Sequence, residues 1–361
     1  MKKLYIVDLI GSYCGMHYYD NAFKSLLEQH KYAPKILSNY KDLPSQSAFF
    51  PVIFGKNIIY SILLLIISYI KFIFYIFTHK GTFIYLSYGE KYDIPFLFLS
   101  LFSKRIIIDI HEVYALKYTE DHIISKLNRL LYKYIVKKII YHSLRTLNIL
   151  QSINYKGKRI YIKHLDYKFS KEYHISNIAQ EIQSTYQTNK LKFLFFGNLS
   201  KVKGIDIIIE IFSHLDKSEL DQVELVIAGK NVEAINFECL NNLSASIHII
   251  DRHINDDELI FLYKNTDVIL LPYRKSSQSG IAAMGMYFQK PMIFSKLPYF
   301  EEIINECPLN SKVVDLEKFG DYIIQLIKKS NNKTDIEQSS NSNLNVDKQY
   351  KQFISQLEQL I

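Results

Sequence analysis

The run from Lys192 to Phe212, KFLFFGNLSKVKGIDIIIEIF, decides how this chain folds. It opens as a strand-length apolar stretch that stops at Gly197. A polar loop carrying Lys201 and Lys203 follows, and Gly204 opens a helix predicted over Ile205 to Leu215. Downstream the same alternation recurs. Strands are predicted at Val223–Ala228, ending on Gly229, at Ser246–Ile250, at Asp267–Leu271, stopped by Pro272, and at Pro291–Phe294. Helices are predicted at Asp256–Asn265, Ser279–Phe288 and Tyr299–Asn305. Strands alternating with helices build βαβ units and a parallel sheet.

The first half repeats the pattern more loosely. Leu4–Leu9 reads as a strand, followed by a loop around Gly11 to Gly15 and a helix to about Glu28. Further strands are predicted at Thr82–Ser87, Arg105–Asp109 and Lys138–His142. The expectation is α/β: two Rossmann-like, doubly wound domains facing a cleft, one over residues 1–170 and one over 171–345. The boundary is expected in the polar stretch between Lys168 and Asn189. Lys328–Gln349, rich in Asn, Ser, Lys and Asp, reads as a flexible or surface connection. Phe353, Ile354, Leu357 and Leu360 then mark an amphipathic helix over 350–361, expected to pack back on the first domain.

Composition narrows the partners. The 361 residues are 48% hydrophobic and 22% charged, as in a globular protein, with a net charge of +8. A basic chain suits a phosphorylated substrate or an anionic surface. No zinc-finger spacing or RNA-binding aromatic pattern is present, so nucleic acid is not the expected partner. Cys14, Cys239 and Cys307 are odd in number and far apart, which argues against a disulfide framework or a structural zinc site. The N-terminal apolar run is short and broken by Asp8, so it reads as a strand rather than a leader.

Ile58–Phe77, IIYSILLLIISYIKFIFYIF, has Lys71 as its single charge and is long enough to cross a bilayer. It sits where a crossover helix belongs. Three readings stay open: a helix in the membrane interface, a buried crossover helix and a true span. Tyr60, Tyr69, Phe72, Phe74, Tyr75 and Phe77 suit an interface. Lys126, Arg129, Lys133 and Lys137 fall at helical spacing and, with Lys138, read as a basic face, either solvated or against anionic lipid.

Two loops carry the chemistry. In the first, Lys203 precedes the helix opened by Gly204, and free N–H groups at a helix start beside a lysine form an anion site. In the second, Arg274, Lys275, Ser276, Ser277, Gln278, Ser279 and Gly280 lead from Pro272 into a helix of small residues, whose open N–H groups could seat a diphosphate. Both follow strand carboxyl ends, where open α/β sheets bind ligands. Taken alone, a surface lysine and an ordinary capped helix explain them as well.

The run from about Leu191 to Ile304 resembles the donor-binding domain of GT-B glycosyltransferases, notably the retaining family 4 enzymes. Lys203-Gly204, Ala228-Gly229, Asp267 to Pro272 and Lys290-Pro291 carry the likeness in order and spacing. The form PYR…QSG belongs to a branch with many builders of bacterial surface polysaccharide. The first half is similar more loosely, through Gly11–His17 and Asp109-Ile110-His111-Glu112.

This resemblance implies a nucleotide-diphosphate sugar as donor substrate, no further cofactor and no metal. Lys203 would neutralise the diphosphate, with Gly197, Asn198 and Gly204 in its loop. Gln278, Ser279 and Gly280 would hold the diphosphate at the helix start, and Arg274 is a further donor-binding candidate. Asp251, Arg252, His253 and Ile254 would lie near the nucleobase. His111 would approach the donor sugar, and His17 and Asp20 would line the acceptor side; these three are the catalytic candidates. His164 is a further candidate. The pattern departs at Asn198, where relatives carry arginine, and at Ser276 and Met284, where they carry glutamates. The acceptor is expected to be a saccharide, free or lipid-linked, and the location cytoplasmic, on the inner face of the cell membrane. Alternatives are a sugar-nucleotide epimerase of the same fold and a non-catalytic, membrane-bound partner of a transferase.

Overall fold

The computed structural model describes residues 2–11, 15–43, 45–163, 165, 172–186, 189–241, 243, 246–330 and 343–361. Cys14 and His164 lie outside them. The chain divides into two compact units, Met1–Tyr167 with Ser342–Ile361, and Lys168–Asn341.

In the first unit the order is β1 (Lys3–Asp8), α1 (Met16–Gln29), β2 (Ala33–Ser38), α2 (Ile58–Thr78), β3 (Thr82–Ser87), α3 (Ile94–Leu99), β4 (Ile106–Ile110), α4 (Ile123–Tyr134), β5 (Lys138–Tyr141), α5 (Leu144–Ser152) and β6 (Lys158–Tyr161). The second contains α6 (Gln180–Gln183), β7 (Leu191–Phe196), α7 (Ile205–Ser213), α8 (Lys217–Leu220), β8 (Val223–Gly229), α9 (Glu238–Asn241), β9 (Ile247–Asp251), α10 (Asp256–Asn265), β10 (Val268–Leu271), α11 (Gly280–Tyr287), β11 (Met292–Ser295), α12 (Pro298–Ile303), β12 (Lys312–Val314) and α13 (Phe319–Ser330). α14 (Asn343–Leu360) closes the described chain.

Each unit holds a six-stranded sheet, ordered β2-β1-β3-β4-β5-β6 and β12-β11-β10-β7-β8-β9, with every paired strand parallel. Parallel strands are covered on both faces, so they read as continuous apolar runs. β3, β4 and β8 are buried along their whole length. The two-sheet α/β architecture expected from the strand–helix alternation is therefore what forms. β2, β6 and β12 were not predicted. Pro34 hides β2, and it is tolerated because β2 is an edge strand that has no partner for a missing N–H on its outer side.

α2 is the crossover from β2 to β3, capped by the Asn57 side chain, which accepts from Ile59 N at 2.9 Å. Its buried stripe is Ser68, Phe72 and Ile76, and Phe72 packs against Phe50, Phe83 and Phe96. Of the aromatics expected at an interface, Phe72 faces the core, and Tyr69 and Tyr75 pack against Phe96 and Tyr5. Tyr60, Phe74 and Phe77 remain outside. The basic face also needs correction. α4 stops at Tyr134, because the buried Val136 turns the chain into β5. Lys137 thus lies in the connection after the helix, and Lys138 begins a strand.

The polar connection is shorter than expected at both ends. Lys328 and Lys329 belong to α13, which buries Phe319, Ile323 and Ile327 at four-residue spacing. α14 starts at Asn343, well before residue 350. Phe353 meets Phe23 of α1 with ring centroids 6.0 Å apart, and Tyr32 donates to Glu358.

Candidate functional site

In the second unit, β7 ends at Gly197 and a one-turn 3₁₀ segment, Lys201–Lys203, leads to Gly204 and α7. Gly204 has φ +75°, and a Cβ there would stand 2.0 Å from the carbonyl oxygen of Pro272. The loop is therefore pressed on the end of β10, and Gly204 is the residue that permits it. Gly197 has φ +110°, and a Cβ there would lie 2.9 Å from Lys203 Nζ and 2.6 Å from Ile281 Cδ1. The Lys203 ammonium and the first turn of α11 thus meet over the bare backbone of Gly197. Lys203 has no ion-pair partner among the described residues; its Nζ lies 5.4 Å from the Tyr273 ring centroid.

Ser279 caps α11, its hydroxyl accepting from Ala282 N at 3.2 Å, and the Ser276 hydroxyl donates to the Gln278 carbonyl at 2.9 Å. Buried beside this loop, the Tyr273 and Ser277 hydroxyls make no hydrogen bond among the described residues. Buried hydroxyls are rarely left without partners, so both are available to a ligand.

Arg274 and Arg252 are committed elsewhere. The Arg274 guanidinium donates to both Asp206 oxygens at 2.7 and 2.9 Å and to the Lys201 carbonyl, and its backbone N–H donates to Val202. It braces the Lys201–Gly204 loop. Arg252 bridges Glu258 and Glu181 at 2.8 Å, so its charge is spent on the start of α10. Ile254 is buried, whereas Asn198 and His253 are exposed. Asp251 accepts from Asn231 N at 2.8 Å.

In the first unit, polar groups gather at the carboxyl ends of β1, β3, β4 and β5. Asp8 and Asp20 are both fully buried. Burial pushes the Asp8 carboxyl up to about 6. Burial, and then the neighbouring Asp8, push Asp20 well above the carboxylate range. The two carboxyls act on each other, and the negative charge of Asp8 disfavours ionisation of Asp20. The Tyr40 hydroxyl donates to Asp20 at 2.8 Å. Asp109, also fully buried, accepts from Tyr19 at 2.8 Å and lies 2.5 Å from His142 Nε2. Burial raises its carboxyl, but the charge and hydrogen bond of His142, then His111 and Tyr19, outweigh this and hold it below the usual range. His111 is 6% exposed and stacks on Tyr88 at 5.4 Å. His17 is half-buried, 3.9 Å from the Tyr18 ring. Glu112, next to His111, pairs with Arg145.

Residues 177–343 match the family model described as glycosyl transferases group 1. The chain is a glycosyltransferase. No curated protein matches its sequence. Among solved structures, the glycosyltransferase resembles WaaG, a glycosyltransferase involved in lipopolysaccharide biosynthesis, at TM-score 0.63 and 12% identity, over 92% of this chain and 91% of that one. It resembles HepE from Anabaena in complex with UDP-glucose at TM-score 0.62 and 14% identity, over 100% and 98%. It also resembles the UDP-GlcNAc 2-epimerase from Neisseria meningitidis, bound to UDP-GlcNAc, at TM-score 0.59 and 13% identity, over 99% and 100%. At these identities the likeness establishes the fold, which is GT-B.

Within the second unit of the glycosyltransferase, Gly197, Lys203, Gly204 and the Gln278–Gly280 loop come together; Arg252 and Arg274 serve the scaffold. Asp109 entered the sequence reading only as part of a motif, while Tyr19, Tyr88 and His142 were not singled out at all. Nothing marks a histidine at the end of a short strand as the partner of an aspartate 33 residues earlier. The two meet because the strands are neighbours and His142 follows by two residues the register partner of Asp109, Ile140, on the same side of the sheet.

Proposed function

We propose that this glycosyltransferase takes its sugar from a nucleoside diphosphate donor seated on Lys203 and the start of α11. The observation that carries this is the meeting of the unpaired Lys203 ammonium and the first turn of α11 over Gly197. Breaking the anomeric bond builds negative charge on the departing diphosphate. A fixed ammonium and open helix N–H groups offset that charge without a resident metal. Tyr273 and Ser277 supply two further hydroxyls there. Two of the similar structures hold UDP-sugars, which makes uridine nucleotides the first donors to try.

The acceptor in this reading is a saccharide carried on lipid, and the reaction is a step in building bacterial surface polysaccharide with retention at the anomeric carbon. Asp20 is fully buried, and burial together with the neighbouring Asp8 pushes its carboxyl up, away from the ionised form a base needs. The departing phosphate is better placed to take the acceptor proton. Support for the lipid comes from α2, where Ile58, Ile59, Ile62, Leu63, Ile66, Ile67, Ile70, Phe74 and Phe77 are each at least 46% exposed. On α4, Ile123, Leu127, Leu130 and Tyr134 form an exposed apolar stripe beside Lys126 and Lys133. Contiguous apolar surface of this kind is covered by a membrane or a partner. The stripe of α2 packed on the sheet favours a helix lying in the interface over one that spans, on the inner face of the cell membrane.

Thermal shift with UDP, GDP, ADP, CMP and TDP tests the donor site. One diphosphate is expected to stabilise the protein, and Lys203→Ala to abolish the shift; no shift with any of them would sink the reading. Incubating the enzyme with UDP-GlcNAc and no acceptor, and analysing the sugar, separates transfer from epimerisation.

A further inference from the structure

We propose that His142 is an imidazolium locked inside the first unit, and that with Asp109 and Tyr19 it forms a fixed support that orients His111. The inference rests on the transfer reading for its purpose but not for its geometry.

His142 Nδ1 lies 2.9 Å from the Ile162 carbonyl oxygen. A carbonyl only accepts, so Nδ1 carries a hydrogen. On the other side of the ring, Nε2 lies 2.5 Å from Asp109 Oδ1 and 3.3 Å from the Tyr19 oxygen. Tyr19 has one hydroxyl hydrogen and donates it to Asp109 Oδ2 at 2.8 Å. The short contact between Nε2 and Oδ1 therefore needs a proton of its own. With Asp109 ionised, that proton belongs to His142, and the ring carries two hydrogens. The charges cancel, and each is hydrogen-bonded, as a buried pair requires.

Asp109, His111 and His142 offer ligand atoms that all lie within 4.8 Å of one another, as a metal site would. Metal–ligand bonds of about 2.0–2.2 Å hold two ligand atoms roughly 3 Å apart or more. The 2.5 Å contact is closer than that and fits a proton. Register explains the contact: Asp109 pairs with Ile140 and Ile110 with Tyr141, so Asp109 and His142 emerge side by side from β4 and β5.

His111 is set on this support. Its backbone N–H donates to the Ser87 carbonyl at 2.9 Å. Its ring stands edge-on to Tyr19 at 4.6 Å and 88°, is stacked on Tyr88, and lies 4.9 Å from the His142 ring. Nε2 of His111 is 4.0 Å from Asp109 Oδ2. The titratable neighbours of the cluster are Asp20 and Tyr132, which act on Asp109, and Tyr88, which stacks on His111. His142 is a positioning residue, acting through Asp109 on a ring that the strand ends present.

The test is long-range nitrogen–proton NMR of the full chain labelled in histidine. Wild type is expected to show His142 with both ring nitrogens protonated and hydrogen-bonded. Tyr19→Phe keeps the pair and is expected to retain that signature. His142→Gln is expected to shift the ring resonances of His111 and, in UDP-glucose turnover, to lower kcat while leaving KM in place. A singly protonated His142 at pH 8 overturns the proposal. So does one zinc ion per chain, taken up by wild type and lost in His142→Gln, or a His111 spectrum indifferent to that change. A wild type without UDP-glucose turnover counts against the transfer reading alone, because the spectra need no substrate.

Discussion

Lys203 is half-buried, free of any carboxylate among the described residues, and poised over a glycine. Removing its charge is expected to cost binding without costing the fold: Lys203→Ala should bind the preferred diphosphate at least tenfold more weakly in calorimetry, with an unchanged melting temperature in the apo state. Gly204→Ala should do the reverse. It forces a side chain into the left-handed region and against the Pro272 carbonyl, for roughly 1–3 kcal/mol of lost stability, read as a lower urea midpoint. The carboxyl pair gives a pH signature. The folded state raises the pKa of Asp8 to about 6 and pushes that of Asp20 up as well, so it keeps protons that the unfolded chain releases above about 4. Stability therefore declines as pH rises from about 4 through 6 and beyond. Asp20→Asn should remove part of that decline: its melting temperature relative to wild type should rise between pH 4 and pH 8. A constant difference would show that the pair does not titrate as described. The lysine and the glycines were legible in sequence because turn chemistry is local. The Asp8–Asp20 pair was not, since twelve residues separate its members and only packing joins them.

Two helices of the first unit present apolar faces to the outside. In α2, Ser68, Phe72 and Ile76 meet the sheet at four-residue spacing, Leu64, Leu65, Tyr69, Ile73 and Tyr75 flank them against the core, and Ile59, Ile62, Ile66, Ile70, Phe74 and Phe77 stay exposed. Sequence could not divide α2, because a helix apolar all round carries no contrast from which to read a face. α4 is the opposite case. Its lysines drew attention, while the stripe of Ile123, Leu127, Leu130 and Tyr134 became visible as exposed only when Leu131 and Tyr132 were seen to fill the core. Changing Ile62, Ile66, Ile70 and Phe74 to serine together should abolish sedimentation with vesicles containing phosphatidylglycerol and leave UDP binding intact. Vesicle binding unaltered by those four changes would remove α2 from the membrane proposal.

At the scale of the molecule, α14 is the element that ties the end of the chain to its beginning. Phe353, Ile354, Leu357 and Leu360 are all buried, each worth about 1.5–3 kcal/mol relative to an exposed side chain. A chain ending at Asn341 should show faster amide exchange in α1 and β6, and unaltered exchange in β7, β8 and β10. Exchange unchanged in α1 would mean that the first unit stands without its last helix.

The fold class came from period and punctuation: apolar runs stopping at Gly197, Gly229 and Pro272, with helix spacing between them, admit little besides parallel sheets. Those signals are local, and the sequence by itself was enough to determine them. Tertiary structure alone decided which charges are spent and which are available. Arg252, Arg274 and Lys203 look alike in sequence, yet the two arginines find Glu258 and Asp206 within 3 Å while Lys203 meets a glycine and an aromatic ring. It also brought Asp109 and His142 together at the ends of adjacent strands. Strand order sets such meetings, and strand order depends on how the crossovers pack, which no single segment encodes.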